Sequence, residues 1–182
     1  MSTLSDKDIL KEMENGLVIT PFDQKTQLQP ASVDLTLSCD FKIGIEPNNG
    51  ECIDTKKPID MVDMQALIFT LPPKEFALAC TTELIKIPKH MLGRVEGRSS
   101  IGRCGLLIHA TAGFIDPGFE GNITLELFNL TNHPIQIYQG QRICQIALEY
   151  LSSDCEQGYG EKYDSKYHGQ LGVVSSKINE DR

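Results

Sequence analysis

The chain has 182 residues, of which 40% are hydrophobic and 23% charged, and a formal net charge of −8. That length supports one core and a single domain over residues 1–182. The acidic balance, with a pI near 5.0, argues against nucleic acid as a partner, because phosphate-backbone contact needs a surplus of Lys and Arg. No run approaches the roughly 18 apolar residues of a membrane span, and the first residues lack a signal peptide's basic start and apolar stretch, so a cytoplasmic protein with no membrane partner is expected.

Ser5-Asp6-Lys7-Asp8 reads as a helix start, with Ser5 as N-cap and acids in the first turn; Ile9, Leu10 and Met13 make its apolar face and Gly16 its stop. After this short N-terminal helix come alternating segments at 33–37, 76–80, 123–128, 135–137 and 143–148, separated by Pro, Gly and Asn. Short strands without intervening long helices predict a mainly β fold, a sandwich, jelly roll or barrel. Residues 46–66 are weakly patterned, with a turn at Pro47-Asn48-Asn49-Gly50, and carry no assigned function. Residues 152–182 are polar and Gly-rich, which on composition alone predicts a mobile end. The six cysteines are scattered without a Cys-x-x-Cys pair and read as reduced thiols, several of them in the core.

Gly97-Arg98-Ser99-Ser100-Ile101-Gly102-Arg103 concentrates two guanidinium groups, two hydroxyls and two glycines. Such a segment would cradle phosphate, although it lacks the Gly-Lys-Ser/Thr ending of a Walker A loop. The competing reading is a turn whose arginines pair with surface acids such as Glu96. Downstream, tight glycine turns in residues 111–121 lead into a strand whose alternation puts Ile123, Leu125 and Leu127 on one face and Thr124, Glu126 and Phe128 on the other. Taken alone, Glu126 reads as a surface carboxylate; beside Thr124 and Phe128 it would also suit a partly dry pocket and proton transfer. His109 has no ligand-spaced partner and reads as a hydrogen-bonded structural histidine. Zinc-dependent base deaminases carry His-x-Glu and Pro-Cys-x-x-Cys, and neither motif occurs in this sequence.

Taken in order, these motifs resemble the dCTP deaminases, which are grouped with the trimeric dUTPases. The similarity runs through Leu4-Ser5-Asp6-Lys7-Asp8-Ile9, Gln29-Pro30-Ala31-Ser32-Val33-Asp34-Leu35, residues 97–103, 111–121 and 123–126, and Gly140-Gln141-Arg142-Ile143-Cys144-Gln145. It extends to Tyr159 and Ser165-Lys166-Tyr167-His168-Gly169-Gln170. The resemblance implies a distorted, dUTPase-like jelly roll or β-barrel assembled as a homotrimer, with active sites between subunits. Residues 152–182 become a nucleotide-covering tail, ordering on binding, with Tyr159, Lys166 and Gln170 touching the substrate.

By the same resemblance Glu126 moves protons between water, C4 of dCTP and departing ammonia. Ser99 and the backbone at Thr111 and Ala112 hold the water and amino group, and Arg103 arrives from a neighbouring chain. Arg98 and Lys166 meet the phosphates with a magnesium ion carried by the triphosphate, and no zinc is required. Asp116 bonds the deoxyribose 3′-hydroxyl, with further contacts from Ser100, Ile101, Gly102, Thr124, Leu125 and Gln145. Gly113-Phe114, where single-activity members carry His-Arg, and Gln145 resemble the dUMP-forming type, in which Asp116 also serves attack on the α-phosphate. Pro117 departs from the alanine of some such members. The expectation is therefore a dCTP deaminase that continues through dUTP to dUMP and diphosphate, supplying dUMP for dTTP synthesis, with dTTP as an inhibitor. The alternatives are a deaminase that stops at dUTP, a plain dUTPase, and a noncatalytic nucleotide-binding trimer.

Overall fold

The computed structural model describes residues 2–44, 52–111 and 113–180. Its elements in chain order begin with α1 (Asp6–Met13), β1 (Val18–Thr20), α2 (Gln24–Gln27), β2 (Leu28–Gln29), β3 (Ser32–Gly44), β4 (Met61–Gln65) and β5 (Ile68–Leu71). There follow β6 (Phe76–Lys86), β7 (Met91–Gly97), α3 (Ser99–Gly102), β8 (Leu106–Leu107), β9 (Phe114–Ile115), β10 (Glu120–Asn129), β11 (Ile135–Tyr138) and β12 (Arg142–Tyr150). All five alternating segments seen in the sequence lie within strands; the turn expected at residues 47–50 falls outside the described residues. No described helix is long and apolar enough to cross a membrane.

The main sheet runs β8-β10-β6-β3-β12-β7-β9, with β1 on β6 and β2 and β4 on β3; it curls into a half-barrel. Its strands pair antiparallel, and the long β3 and β6 serve as its spine. Alternation explains the curl's inner face. Along β10, Ile123, Leu125 and Leu127 are buried while Thr124, Glu126 and Phe128 are only partly covered, as the period of two requires. Each fully buried leucine contributes about 1.5–3 kcal/mol by leaving water. Phe41 and Phe69 stack with centroids 4.3 Å apart, fastening the small β5–β11 sheet to the spine. Cys80 and Cys144 are buried, and the six cysteines are free thiols.

Ser5 stands at the N-cap of α1, but its hydroxyl donates to Asp8 Oδ2 at 2.7 Å instead of accepting from the helix backbone. The helix stops before Gly16, whose φ is +103°. Its apolar stripe does not act alone. Glu12 is buried on the same side, with Tyr150 Oη donating at 2.9 Å, Asn15 at 3.2 Å and His90 Nε2 2.7 Å away. Burial opposes its ionisation, but the hydrogen bonds from His90, Tyr150 and Asn15 outweigh that and hold the carboxyl below its usual range. A depressed carboxylate stabilises the fold above the ordinary value, and that contribution vanishes as pH falls through the folded value. Glu12→Gln, which sets an amide donor against donors, should cost about 1–3 kcal/mol at pH 7. The gap in thermal midpoint from wild type should close as pH falls below the ordinary carboxylate range, measured by circular dichroism melts.

Candidate active site

Strand alternation aims Glu126 outward from β10, and the chain following β8 runs alongside it. Glu126 N donates to Ile108 O at 3.0 Å, which brings the amides of Ala110 and Thr111 onto the side chain. Glu126 Oε2 accepts from Ala110 N at 2.8 Å and from Thr111 N at 3.4 Å. Amides from a paired segment fix the carboxylate without a salt bridge. No described residue hydrogen-bonds Oε1, so that oxygen can receive a proton from a water. Ala112 lies outside the described residues.

Glu126 lines a cavity of about 1160 Å³ together with Thr111, Phe114, Asp116, Thr124, Tyr159 and Gln170. Thr124 Oγ1 and Gln170 Oε1 are both buried and lack a hydrogen-bond partner among the described residues. An unpaired buried polar atom costs about 1–3 kcal/mol, so two of them in one wall mark a place for a polar ligand. Residues 52–54 and 57–61 also line it, including Asp54, Lys57 and Asp60, as do Tyr167, Ser175 and Ser176. Tyr167 belongs to the tail motif, but the sequence carried no signal for residues 52–61 or for Ser175 and Ser176, because neither segment has a periodic pattern or a motif.

In the structure the tail packs on the sheet through backbone hydrogen bonds, a docking that composition alone does not indicate. Tyr159 N donates to Pro117 O at 2.7 Å, Gly169 N to Glu120 O at 2.7 Å and Asn122 N to Gln170 O at 3.0 Å. Polar composition hid this because backbone groups carry the docking. At Gly118, φ is +84° and a Cβ would come within 2.9 Å of Gly158 Cα, so glycine lets the two segments touch. Tyr159 then packs on Phe119, with centroids 6.0 Å apart, and its hydroxyl accepts from Tyr167 N at 3.0 Å.

Arg98, Ser99, Ser100, Ile101, Gly102 and Arg103, with Gln145 and Lys166, do not line this cavity. Ile101 is buried in the core as part of the single turn α3, and Leu125 also faces the core, leaving only its backbone to meet a ligand. Arg98 Nε and Arg142 Nη1 instead converge on Asp34 Oδ2, at 3.2 and 3.1 Å, and Arg98 also donates to Arg142 O at 3.0 Å. Ser32 Oγ donates to Gln145 Oε1 at 3.2 Å beside them. The partner of Arg98 is thus Asp34 rather than Glu96. Alternation would put Asp34 in solvent, opposite Val33 and Leu35; the two guanidinium groups covering it leave it 1% exposed. Ser99, Ser100 and Arg103 are exposed at the surface.

His109 differs from expectation: its Nδ1 is buried without a hydrogen-bond partner among the described residues. Its ring packs on Gly113, where a Cβ would lie 2.8 Å from His109 Cε1 and 2.7 Å from Val95 O. Only glycine fits there while Val95 N donates to Gly113 O at 2.7 Å.

The sequence profile described as dCTP deaminase-like matches residues 3–151. The chain belongs to the dCTP deaminase-like family. Its similarity to individual dCTP deaminase-like proteins continues past the profile, into the tail that carries Tyr159 and Gln170. It is 47% identical to the dUMP-forming dCTP deaminase of Methanosphaera stadtmanae, over 100% of this chain and 96% of that one. Identity to the dUMP-forming dCTP deaminase of Streptomyces coelicolor is 44%, over 96% of this chain and 94% of the relative. Among solved structures, the 2′-deoxycytidine 5′-triphosphate deaminase of Agrobacterium tumefaciens superimposes with a TM-score of 0.63 at 24% identity, over 82% of this chain and 48% of that longer one. That likeness concerns the fold.

Proposed function

We propose that this chain is a dCTP deaminase of the dUMP-forming kind, with Glu126 as its proton-transferring carboxylate. The observation that carries the reading is Glu126 itself: a carboxylate gripped at one oxygen by two amides, with the other left to a water, in a cavity wall holding two unpaired polar atoms. Relatives 43–47% identical over nearly the whole chain bear the same activity name.

In the first reaction Glu126 takes a proton from water as the oxygen bonds to C4 of the cytosine. It delivers that proton to N3, takes the remaining proton from the new C4 hydroxyl and passes it to the amino nitrogen, and the C–N bond breaks as C4=O forms, releasing ammonia. Ala110 and Thr111 amides hold Glu126 in place, and Ser99 with the backbone at Ala112 would hold the water and the leaving group. In the second reaction a water directed by Asp116 attacks the α-phosphorus, the bond to the bridging oxygen breaks, and diphosphate leaves dUMP. Asp116 would also take the 3′-hydroxyl, with Thr124, Tyr159 and Gln170 around the nucleoside.

Charge supports a site shared between copies. Among the described residues lining the cavity, Asp54, Asp60, Asp116 and Glu126 face a single cation, Lys57. A triphosphate placed there would meet four carboxylates, so its counter-charges must come from elsewhere. The exposed Arg103 and the Arg98–Arg142 pair, with Ser100 and Gly102 nearby and Gln145 behind, would supply them from a second subunit, and a head-to-tail contact that closes after three copies gives a homotrimer. Lys166 would add a phosphate contact from the tail. A magnesium ion carried on the phosphates would neutralise part of their charge. dTTP, sharing the deoxyribose and triphosphate but lacking the amino group, would compete as an inhibitor.

Incubation with dCTP and magnesium, followed by separation of products, tests the reading directly. Ammonia and dUMP in equal amounts, with little free dUTP, are expected. Accumulation of dUTP would remove the second reaction, and absence of ammonia would remove both.

A further inference from the structure

Phe114 is 50% exposed, an unusual place for a phenylalanine on a two-residue strand, and it lines the same cavity as Asp116 and Glu126. Its ring is not unsupported. β9 pairs with β7 so that Arg94 stands directly opposite Phe114, and the guanidinium carbon lies 5.4 Å from the ring centroid. On the next strand of the sheet, Glu149 accepts from Arg94 Nε at 3.1 Å. Glu149, Arg94 and Phe114 therefore form a row across β12, β7 and β9.

The row has a direction. Glu149 is the better covered end, its side chain 15% exposed against 41% for Arg94. It holds the guanidinium through Nε, the cation lies over the Phe114 ring, and Phe114 lines the cavity. A half-exposed phenylalanine without such a backing would exchange among its side-chain rotamers and leave the wall undefined.

We propose that Arg94 is a positioning residue for the nucleotide, acting through Phe114: it holds the ring as a preformed apolar wall beside Asp116. The inference rests on the reading of the cavity as the nucleotide site, and it adds a residue that neither touches the cavity nor belongs to a recognised motif. Preforming the wall lowers the cost of ordering it when nucleotide enters, so the effect falls on affinity more than on the chemical step.

The test is a double-mutant cycle on the full-length protein, with Arg94→Ala, Phe114→Leu and the pair. Affinity for dCTP with magnesium is measured by calorimetry in a Glu126→Gln background, where turnover does not interfere, and KM and kcat are measured by ammonia release in the wild-type background. Arg94→Ala should weaken dCTP binding and raise KM by about five- to tenfold, with a smaller change in kcat. In the Phe114→Leu background the same substitution should change affinity less than twofold, because nothing remains for the guanidinium to hold. Arg94→Lys should restore only part of the affinity, since an ammonium has no planar face. Equal losses in both backgrounds, or a fall in thermal midpoint with affinity intact, would overturn the inference and leave Arg94 a strand-pairing residue. Wild-type protein that binds dCTP but releases no ammonia would instead defeat the deaminase reading while the calorimetric cycle still decides the role of Arg94.

Discussion

Replacing Glu126 with Gln should lower kcat for ammonia release from dCTP by at least about a hundredfold while leaving nucleotide affinity within a few-fold of wild type. The substitution is close to a pure test of proton transfer. Gln keeps the length of the side chain and a carbonyl oxygen, so it can still accept from Ala110 N and Thr111 N, the two bonds that fix Glu126 Oε2. What it loses is the ability to take a proton from water at neutral pH. The thermal midpoint should therefore stay close to wild type, because the two backbone bonds to the side chain are kept and the strand's core residues are untouched. Steady-state ammonia release, calorimetric titration with dCTP and a melting curve form a sufficient set. A loss smaller than tenfold, or one accompanied by loss of binding, would show that another group activates the water.

The second large effect concerns how the charges are divided. Arg103→Ala and Glu126→Gln should each be nearly inactive alone, yet an equal mixture refolded together, or expressed together, should regain activity. If each site draws Glu126 from one copy and Arg103 from its neighbour, about a quarter of the sites in a random mixture contain both intact residues. Recovery to that level, read as ammonia release per subunit, is the expected result. Lack of recovery in mixtures shown by sizing to contain both variants would put both residues in one subunit's site. The geometry motivating the experiment is that Glu126 lines the cavity with Asp116, Asp54 and Asp60, while Arg103 does not reach it.

The fold was largely legible in the sequence because strands announce themselves by alternation. The clearest case is β10: a period of two over residues 123–128 put Glu126 on the correct face before any coordinates. Asp34 was illegible for the same reason, since alternation assigns it to solvent and only knowledge of two distant arginines explains its burial. The candidate site was legible where it coincides with motifs, at Thr111, Asp116, Glu126, Tyr159 and Gln170. It was not where plain polar chain forms a wall, at residues 52–61 and 174–176. The docking of the tail is not legible in composition because backbone hydrogen bonds carry it, and no residue type advertises those. Arg94 escaped because its role depends on strand register against Phe114, a long-range property.

The separation of the anionic cavity from the cluster of guanidinium groups bears on how the protein behaves in dilute solution. On the proposed reading, a cavity with four carboxylates and one lysine and a neighbour's cluster of guanidinium groups are each poor binders of a triphosphate, and they become a site only by association. Activity per subunit is then governed by mass action and should decline on dilution below the dissociation constant of the assembly. Nucleotide that spans both halves would shift that constant toward association, so substrate would protect its own enzyme from falling apart.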